Sequence, residues 1–481
     1  MVFSSMTFLF VFLPCILVIY FLLKENYWNI FLLAVSLFFY AWGEPKFVFI
    51  MIFSIVVNYL AALGISYFAN RGGRYGLRKI LLGLCICLNI GLLFVFKYLN
   101  FTTLYLNKFF PSVPVTSIAL PIGISFFTFQ GLSYVADIYG KREEVQKNII
   151  DLGLYISFFP QLIAGPIVRY KTIAAEIKDR KIEWTDFCVG VKRFIVGVSK
   201  KIIIANNMAL VADKAFSFRA GELTVVMGWL GMICYTFQIY FDFSGYSDMA
   251  IGLGRMFGFH FSENFDHPYI SKSITEFWRR WHISLGSWFR DYVYIPLGGS
   301  RVKIGRHILN LFIVWLLTGI WHGASWNFIV WGLLYFTLLI VEKYFVHPEK
   351  LSKAKGIIWQ FVSMISVAFG WVIFRAKGLH GAFWYIKGMF GLYGNDLIDA
   401  QTVFYCREYM VLIMIAAIFC VPIADRIKEG FSKLEKNSKA GFDKTMFALN
   451  GIKILMYCTL FIFSISYLVM GAHNPFIYFN F

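Results

Sequence analysis

Uncharged apolar runs alternate with short basic loops along almost the whole chain. Residues 1–23, 47–70, 80–96 and 223–241 contain no Asp, Glu, Lys or Arg, and neither does the longer run Ile308–Val341. The blocks 355–374, 409–424 and 454–472 are nearly as clean, with Lys355 at the edge of one. Bilayer-spanning helices read this way, at about 20 apolar residues each, and the pattern predicts roughly 11 of them. Ile308–Val341 is long enough for one very long span or two shorter ones. Membrane β-strands would instead alternate apolar and polar residues in short segments, so the fold class is an all-α polytopic membrane protein. The opening MVFSSMTFLFVF has no basic leader and no small-residue cleavage site before the next span, so it is read as the first membrane helix.

Composition agrees with the pattern. Of 481 residues, 59% are hydrophobic and 15% charged, against about 25% charged in soluble domains. The net charge of +18 would suggest nucleic acid in a soluble protein. Here the charge sits between apolar blocks: Arg71 to Lys79, Lys171 to Lys201, Lys272 to Arg306 and Arg426 to Lys444. Basic loops of this kind set insertion topology and attract anionic headgroups, and no nucleic-acid partner is expected. Part of the same charge is available to an anionic cytosolic donor. The eight cysteines are scattered without a CxxC, so neither a disulfide framework nor a zinc site is expected.

No linker, low-complexity tract or internal repeat divides the chain, and residues 1–481 are taken as one domain. Three zones differ in character. Residues 1–110 and 346–481 are simple lipid-like helices. In 111–345 the apolar blocks carry Gln130, Asp137, Gln161, Gln238, Asp242, Ser244 and Asp248. Polar groups at bilayer depth are expensive and face a protein interior or a wet cavity, so the working site belongs in this middle zone. Asp242 and Asp248 fit a proton or cation path, and equally the caps of broken helices. GxSxG, HExxH and a Walker loop are absent, and the spacing of His260 and His267 does not argue for a metal.

In SITEFWRRWHISLGSWFRDY (273–292), Ile274, Phe277, Trp278, Trp281, Leu285, Trp288, Phe289 and Tyr292 form one helical stripe. Glu276, Arg279, Arg280, Ser287, Arg290 and Asp291 fall opposite. The stripe predicts a helix that lies at the membrane interface or plugs a cavity mouth, and the interfacial anchor is the favoured reading. At 100° per residue, His282 falls on its border, able to face a pocket and remain reachable from water. From Lys272 to Arg306 seven basic residues face two acidic ones, a charge that suits either topology or donor phosphates.

His322, in TGIWHGASW, stands inside the uncharged run Ile308–Val341. Glycines 319 and 323 allow close approach of substrate or backbone. Chemistry alone leaves His322 equally a general base and a structural residue bonded to a carbonyl. The basic loops predict that both WH segments approach from the cytoplasmic half.

WRRWHISLGSWFRDYVYIPLGGSR (278–301) and LLTGIWHGASWNFIVWG (316–332) strongly resemble the membrane-bound O-acyltransferase (MBOAT) family. PIGISFFTFQGLSYVADIYG (121–140), FFPQLIAGPIVRY (158–170), FQIYFDFSGYSDMAIGLGRMFGF (237–259) and both chain ends look similar too. The likeness is strongest to the bacterial alginate and peptidoglycan O-acetyltransferase membrane subunits. It implies a ring of helices around a central tunnel joining the two membrane faces. It maps the family's intramembrane histidine onto His322, as general base or transient acyl carrier, and a second family position onto His282. Trp278, Arg279, Arg280, Trp281, Arg290 and Arg301 would then receive the donor. The resemblance implies acetyl-CoA as donor substrate and no bound cofactor. It also implies a multi-pass location in a bacterial cytoplasmic membrane and an extracytoplasmic partner with a serine-hydrolase-like domain. Alternatives are D-alanyl transfer to teichoic acid, a proton-coupled transporter using Asp242, Asp248 and His322, and a scaffold in which His322 is dispensable.

Overall fold

A computed structural model describes residues 2–71, 75–219, 221–423, 442–471 and 474–475, the side chains of 442–450 excepted. The described residues are helical, with no strand among them. The helices used below are α1 Phe8–Leu22, α2 Trp28–Gly43, α3 Val48–Asn70, α4 Tyr75–Phe109, α5 Ile124–Tyr139, α6 Trp184–Ser217 and α7 Val225–Met256. They continue with α8 Ile274–Arg280, α9 Ile283–Phe289, α10 Ile304–His322, α11 Trp326–Val341, α12 Lys353–Arg375, α13 Ala400–Phe419 and α14 Phe442–Val469. Among the described residues, eight helices are long and apolar enough to cross a membrane. α1, α2, α5 and α7 add shorter or more polar members to the bundle. The run Ile308–Val341 resolves into two helices, α10 and α11, with the break just after His322. Most of the basic loop 426–444 and of the closing NPFIYFNF lies outside the described residues.

The tightest pair is α6 against α7. A side chain on Gly190 would meet the Gly252 carbonyl oxygen at 2.6 Å, and one on Gly197 would meet that of Gly245 at 2.5 Å. Two glycines seven residues apart on each antiparallel helix therefore face each other in register. In a membrane, where lipid is as apolar as leucine, such backbone approach is a main source of packing energy. Asp242 and Asp248 of α7 add charge to the same seam. Asp242 lies 2.7 Å from Lys201, and Asp248 lies 2.8 Å from Arg193 and 2.7 Å from Lys200.

The segment 273–292 departs from the continuous helix its stripe predicts. It is two short helices, α8 and α9, broken where Trp281 is extended and His282 is left-handed (φ 44°, ψ 54°). Nor is it an interfacial anchor. Phe277, Trp281, Trp288 and Phe289 are buried, and Trp278 packs edge-on to Trp315, Trp331 and Tyr335. The stripe is helical in period because both halves keep their apolar side on the protein core; periodicity does not register a two-residue break.

The loop after α7 is held by His260. Its Nδ1 lies 2.7 Å from Glu176 and its Nε2 2.6 Å from Asp186. Two carboxylates on two ring nitrogens call for the imidazolium. Partial burial pulls its pKa down, but the hydrogen bonds and charges of Glu176 and Asp186 outweigh that and hold it above the ordinary histidine value.

Two tests follow from these contacts. Gly197→Ala is expected to cost about 1–3 kcal/mol by forcing α6 off α7, whereas Gly83→Ala, with nothing within 4 Å of the added carbon, leaves the melting temperature in detergent unchanged or raised. For His260, a raised folded-state pKa means stability that is full below about pH 6.5 and lost as pH climbs through the raised value. Melting temperature against pH is expected to fall through that window in the native protein and to be flatter there in His260→Gln.

Candidate active site

Two separate cavities are lined by the singled-out histidines, one by His282 and one by His322. The larger, about 620 Å³, is lined along one face of α10 by His307, Leu311, Val314, Trp315 and Thr318. That face covers roughly 17 Å of helix. Arg279, Arg290, Lys343 and His307 line its charged part, while Trp281, His282 and Leu285 line its inner part. The smaller, about 270 Å³, is lined by His322, Trp321, Lys97, Glu44, Ser125 and the turn Leu120–Ile124.

The α8–α9 break aims His282. Asn264 anchors it: the Ile283 N–H donates to the Asn264 main-chain oxygen at 2.9 Å, and the Ser284 N–H and hydroxyl donate to Oδ1 at 3.2 and 2.8 Å. Only an oxygen accepts from a backbone N–H, so the Asn264 amide orientation is fixed. His282 Nδ1, 3.1 Å from the same Oδ1, must then carry a proton and donate. In the neutral ring this leaves the lone pair on Nε2, which is buried and has no hydrogen-bond partner among the described residues. A left-handed non-glycine residue costs of order 1–3 kcal/mol, which these bonds offset. Arg280 holds the same loop, bonded to Glu276 at 3.0 Å and to the Asp266 carboxylate at 2.9 Å. Upstream, Glu342 accepts the Ile274 and Thr275 N–H groups at 2.7 and 2.9 Å, placing a carboxylate at the positive end of α8.

His322 ends α10. Its ring packs against Trp321 and Trp331, both at 4.9 Å, and Phe374 at 5.0 Å. Among the described residues neither ring nitrogen has a hydrogen-bond partner. The orphaned carbonyls at the helix end are met from α4, where the Tyr98 hydroxyl donates to Ile320 and the Lys97 ammonium to Trp321. A π-helical stretch, Phe94–Tyr98, places both donors. Trp321 stands between the cavities, with His282 6.0 Å from its ring and Lys97 5.7 Å from its centre on the His322 side.

His322 does not approach from the same side as the basic segment. α10 starts beside Arg301, Lys303 and Arg306 and runs about 27 Å to His322, close to a hydrocarbon thickness of about 30 Å. Loop charge marks where a helix begins, and a full-length span carries its last residue to the other face. Chain direction agrees: α3 leads from Glu44, in the His322 cavity, to the loop at Arg71.

Of the residues singled out for a donor, Trp278, Arg279, Trp281 and Arg290 line the larger cavity. Arg280 is turned into the ion pairs above, and Arg301 is exposed and off the lining. Asp242 and Asp248 lie on neither cavity and are engaged by cations, which removes them from a path to His322. Lys97, Asn264, Ser284 and Lys343 are contributed from elsewhere in the chain and were not singled out. Lys97 lines the His322 cavity. Its signal in the sequence is a lone cation closing an uncharged run, at 80–96.

The described residues form an all-helical membrane bundle with one histidine on each of two cavities. Residues 75–379 match the family described as MBOAT, membrane-bound O-acyltransferase family. The chain is 38% identical to the probable alginate O-acetylase of Pseudomonas putida, with all of both chains covered. It is 34% identical to the peptidoglycan O-acetyltransferase of Helicobacter pylori, covering all of this chain and 98% of that one. It is 29% identical to the teichoic acid D-alanyltransferase of Bacillus subtilis over 58% of this chain and 76% of that one. The chain belongs to the membrane-bound O-acyltransferase family and is an acyltransferase.

The bond between Asn264 and His282 gives a test. Asn264→Leu removes the acceptor that fixes the tautomer, and acyl transfer by the purified protein is expected to fall about 10²-fold or more. Asn264→Asp keeps an acceptor and is expected to retain far more activity. Equal losses in the two variants would sink the tautomer argument.

Proposed function

We propose that this protein carries an acetyl group from a thioester donor, acetyl-CoA, on its basic face to a hydroxyl acceptor on the opposite face. The product is an O-acetylated cell-surface polysaccharide of the alginate or peptidoglycan kind. The observation that carries the reading is the pair of cavities, one lined by basic residues with His282 inside it and one lined by His322, with Trp321 between them. The basic face is the cytoplasmic one by the positive-inside rule, in the cytoplasmic membrane of a bacterium.

Arg279, Arg290 and Lys343 attract the donor's phosphates, and the apolar length of α10 receives its arm. The reacting carbonyl comes to the Trp321 wall. His322 takes the proton of the attacking hydroxyl as the C–O bond forms and the C–S bond breaks, and the thiolate leaves as thiol. An imidazole base of this kind contributes about 10²–10⁴-fold. If His322 instead carries the acetyl group briefly, the same nitrogen is the nucleophile. A separate extracytoplasmic protein with a serine-hydrolase-like domain receives the acetyl group and completes the transfer. The extended likeness to O-acetyltransferases, against partial coverage by the D-alanyl enzyme, supports acetyl as the group.

The test uses liposomes holding equal amounts of wild type or His322→Ala, with radiolabelled acetyl-CoA on the basic side. Ester label on acceptor at the far side is expected for wild type, and a loss of about 10²-fold or more for the variant. Undiminished label in His322→Ala would make the histidine structural. No label with wild type would turn the donor assignment to a carrier-bound D-alanyl thioester.

A further inference from the structure

Lys97 brings an ammonium to the cavity that His322 lines, and no step of the transfer proposed above uses it. It closes the uncharged run 80–96 and is carried by the π-helical stretch Phe94–Tyr98 of α4. Its Nζ donates to the Trp321 carbonyl oxygen and lies 3.5 Å from Ser125 Oγ, and both of those residues line the same cavity. The Trp321 ring centre is 5.7 Å away. Among the described residues these are its polar and ring partners, and no carboxylate pairs with it. Glu44 lines the cavity as well, without an ion pair to Lys97.

Holding the end of α10 does not account for the charge. The Tyr98 hydroxyl does the same work at the Ile320 carbonyl and is neutral. A hydroxyl or amide would satisfy the Trp321 carbonyl equally, whereas a lysine at bilayer depth is expensive. An ammonium carries three donors, and the protein takes at most two of them. The positive end of α5 adds to the same side, where Gly123, left-handed at φ 76°, Ile124 and Ser125 line the cavity. This side of the cavity therefore suits a negative charge arising next to His322. Lys97 bonds the main chain of Trp321, the wall at which the acyl carbonyl arrives, and His322 is the next residue. A cation tied to the main chain is preorganised, which is what stabilising a charge that lasts only through the transition state requires.

We propose that Lys97 is a catalytic residue of the acyl transfer, its ammonium stabilising the oxyanion that forms when the acyl carbonyl is attacked beside His322. The attacking oxygen bonds the carbonyl carbon, the π pair moves onto the carbonyl oxygen next to Lys97, and the hydroxyl proton passes to His322. The pair then returns, the C–S bond breaks, and the sulfur takes the proton back from the imidazolium. Lys97 exchanges no proton and stays an ammonium throughout. The assignment rests on the proposed place of the reaction at His322, and not on the identity of the acyl group, since every thioester passes through the same oxyanion.

The test compares Lys97→Met, Tyr98→Phe and Lys97→Cys with wild type, each as the full chain in liposomes. Rates are read with acetyl-CoA, or with a carrier-bound D-alanyl thioester if wild type does not use acetyl-CoA. That switch would correct the proposed donor and leave the expectation for Lys97 unchanged. In Lys97→Met, kcat is expected to fall about 10²–10³-fold, the cost of losing one oxyanion donor, while KM for the thioester changes little. Tyr98→Phe removes the other bond at the end of α10 and no charge, and is expected to lower the melting temperature as much and kcat far less. Alkylating Lys97→Cys with 2-bromoethylamine rebuilds an ammonium of the same length and is expected to return much of the lost rate, with wild type treated in parallel because of its own cysteines. If Lys97→Met does not fold, this variant decides alone. Equal losses in Lys97→Met and Tyr98→Phe would make Lys97 a cap. A loss confined to KM for the hydroxyl acceptor would make it a binding group for an anionic acceptor. Full alkylation of the cysteine without recovery of rate would leave the charge no role. Each of these three results overturns the assignment.

Discussion

At bilayer depth no backbone amide or carbonyl can be left to water, yet this chain breaks its helices at the two places where its histidines stand. Each break is closed by a side chain brought from a distance. Asn264 takes the amide and hydroxyl of Ser284 at the first. Lys97 and Tyr98 take the carbonyls of Trp321 and Ile320 at the second. Nearby, the Asn327 amide spreads its donors over the carbonyls of Ile373, Phe374 and Ala376, where α12 ends. The chemistry of the site inherits its geometry from this accounting. His282 has a defined tautomer because Asn264 is already committed to a backbone N–H, and the end of the His322 helix is held by Lys97 and Tyr98.

The sequence made some of this legible and hid the rest for identifiable reasons. His322 stands out because an imidazole in an uncharged run is costly, and His282 because it falls on the border of an apolar stripe. The break at Trp281–His282 was invisible because Ile274, Phe277, Leu285 and Trp288 keep one helical phase across it. The role of Asn264 was invisible because it acts through a partner 18 positions away, and that of Lys97, though its charge stands out, because its partner is 224 positions away. Asp242 and Asp248 looked like a relay because a carboxylate at depth advertises its charge and not its counter-ion. Lys201, Lys200 and Arg193 sit on a different helix, and only the glycine seam between α6 and α7 brings them into reach. Position relative to the membrane also escaped the loop charges, which locate the start of α10 and not its end.

Under the proposed function, transfer of an acyl group from a thioester between two faces sets opposing demands. The reacting group must pass, while water and ions must not. Trp321 is placed where both demands fall. It is buried in an apolar cluster with Phe126, Phe129, Leu285, Trp288 and Phe289, which closes the space between the cavities. A dry wall strengthens every electrostatic interaction at the reacting atoms and keeps a thioester from hydrolysis. The way this wall is fastened matters. Its main chain is held by Lys97, but among the described residues its indole N–H has no hydrogen-bond partner, and its ring is held by aromatic contacts and by the Lys97 cation 5.7 Å from its centre. A ring move at Trp321 therefore breaks no side-chain hydrogen bond, whereas a move of His282 or of the end of α10 breaks several. The same polar accounting that fixes the histidines leaves the residue between them as the least tethered part of the site.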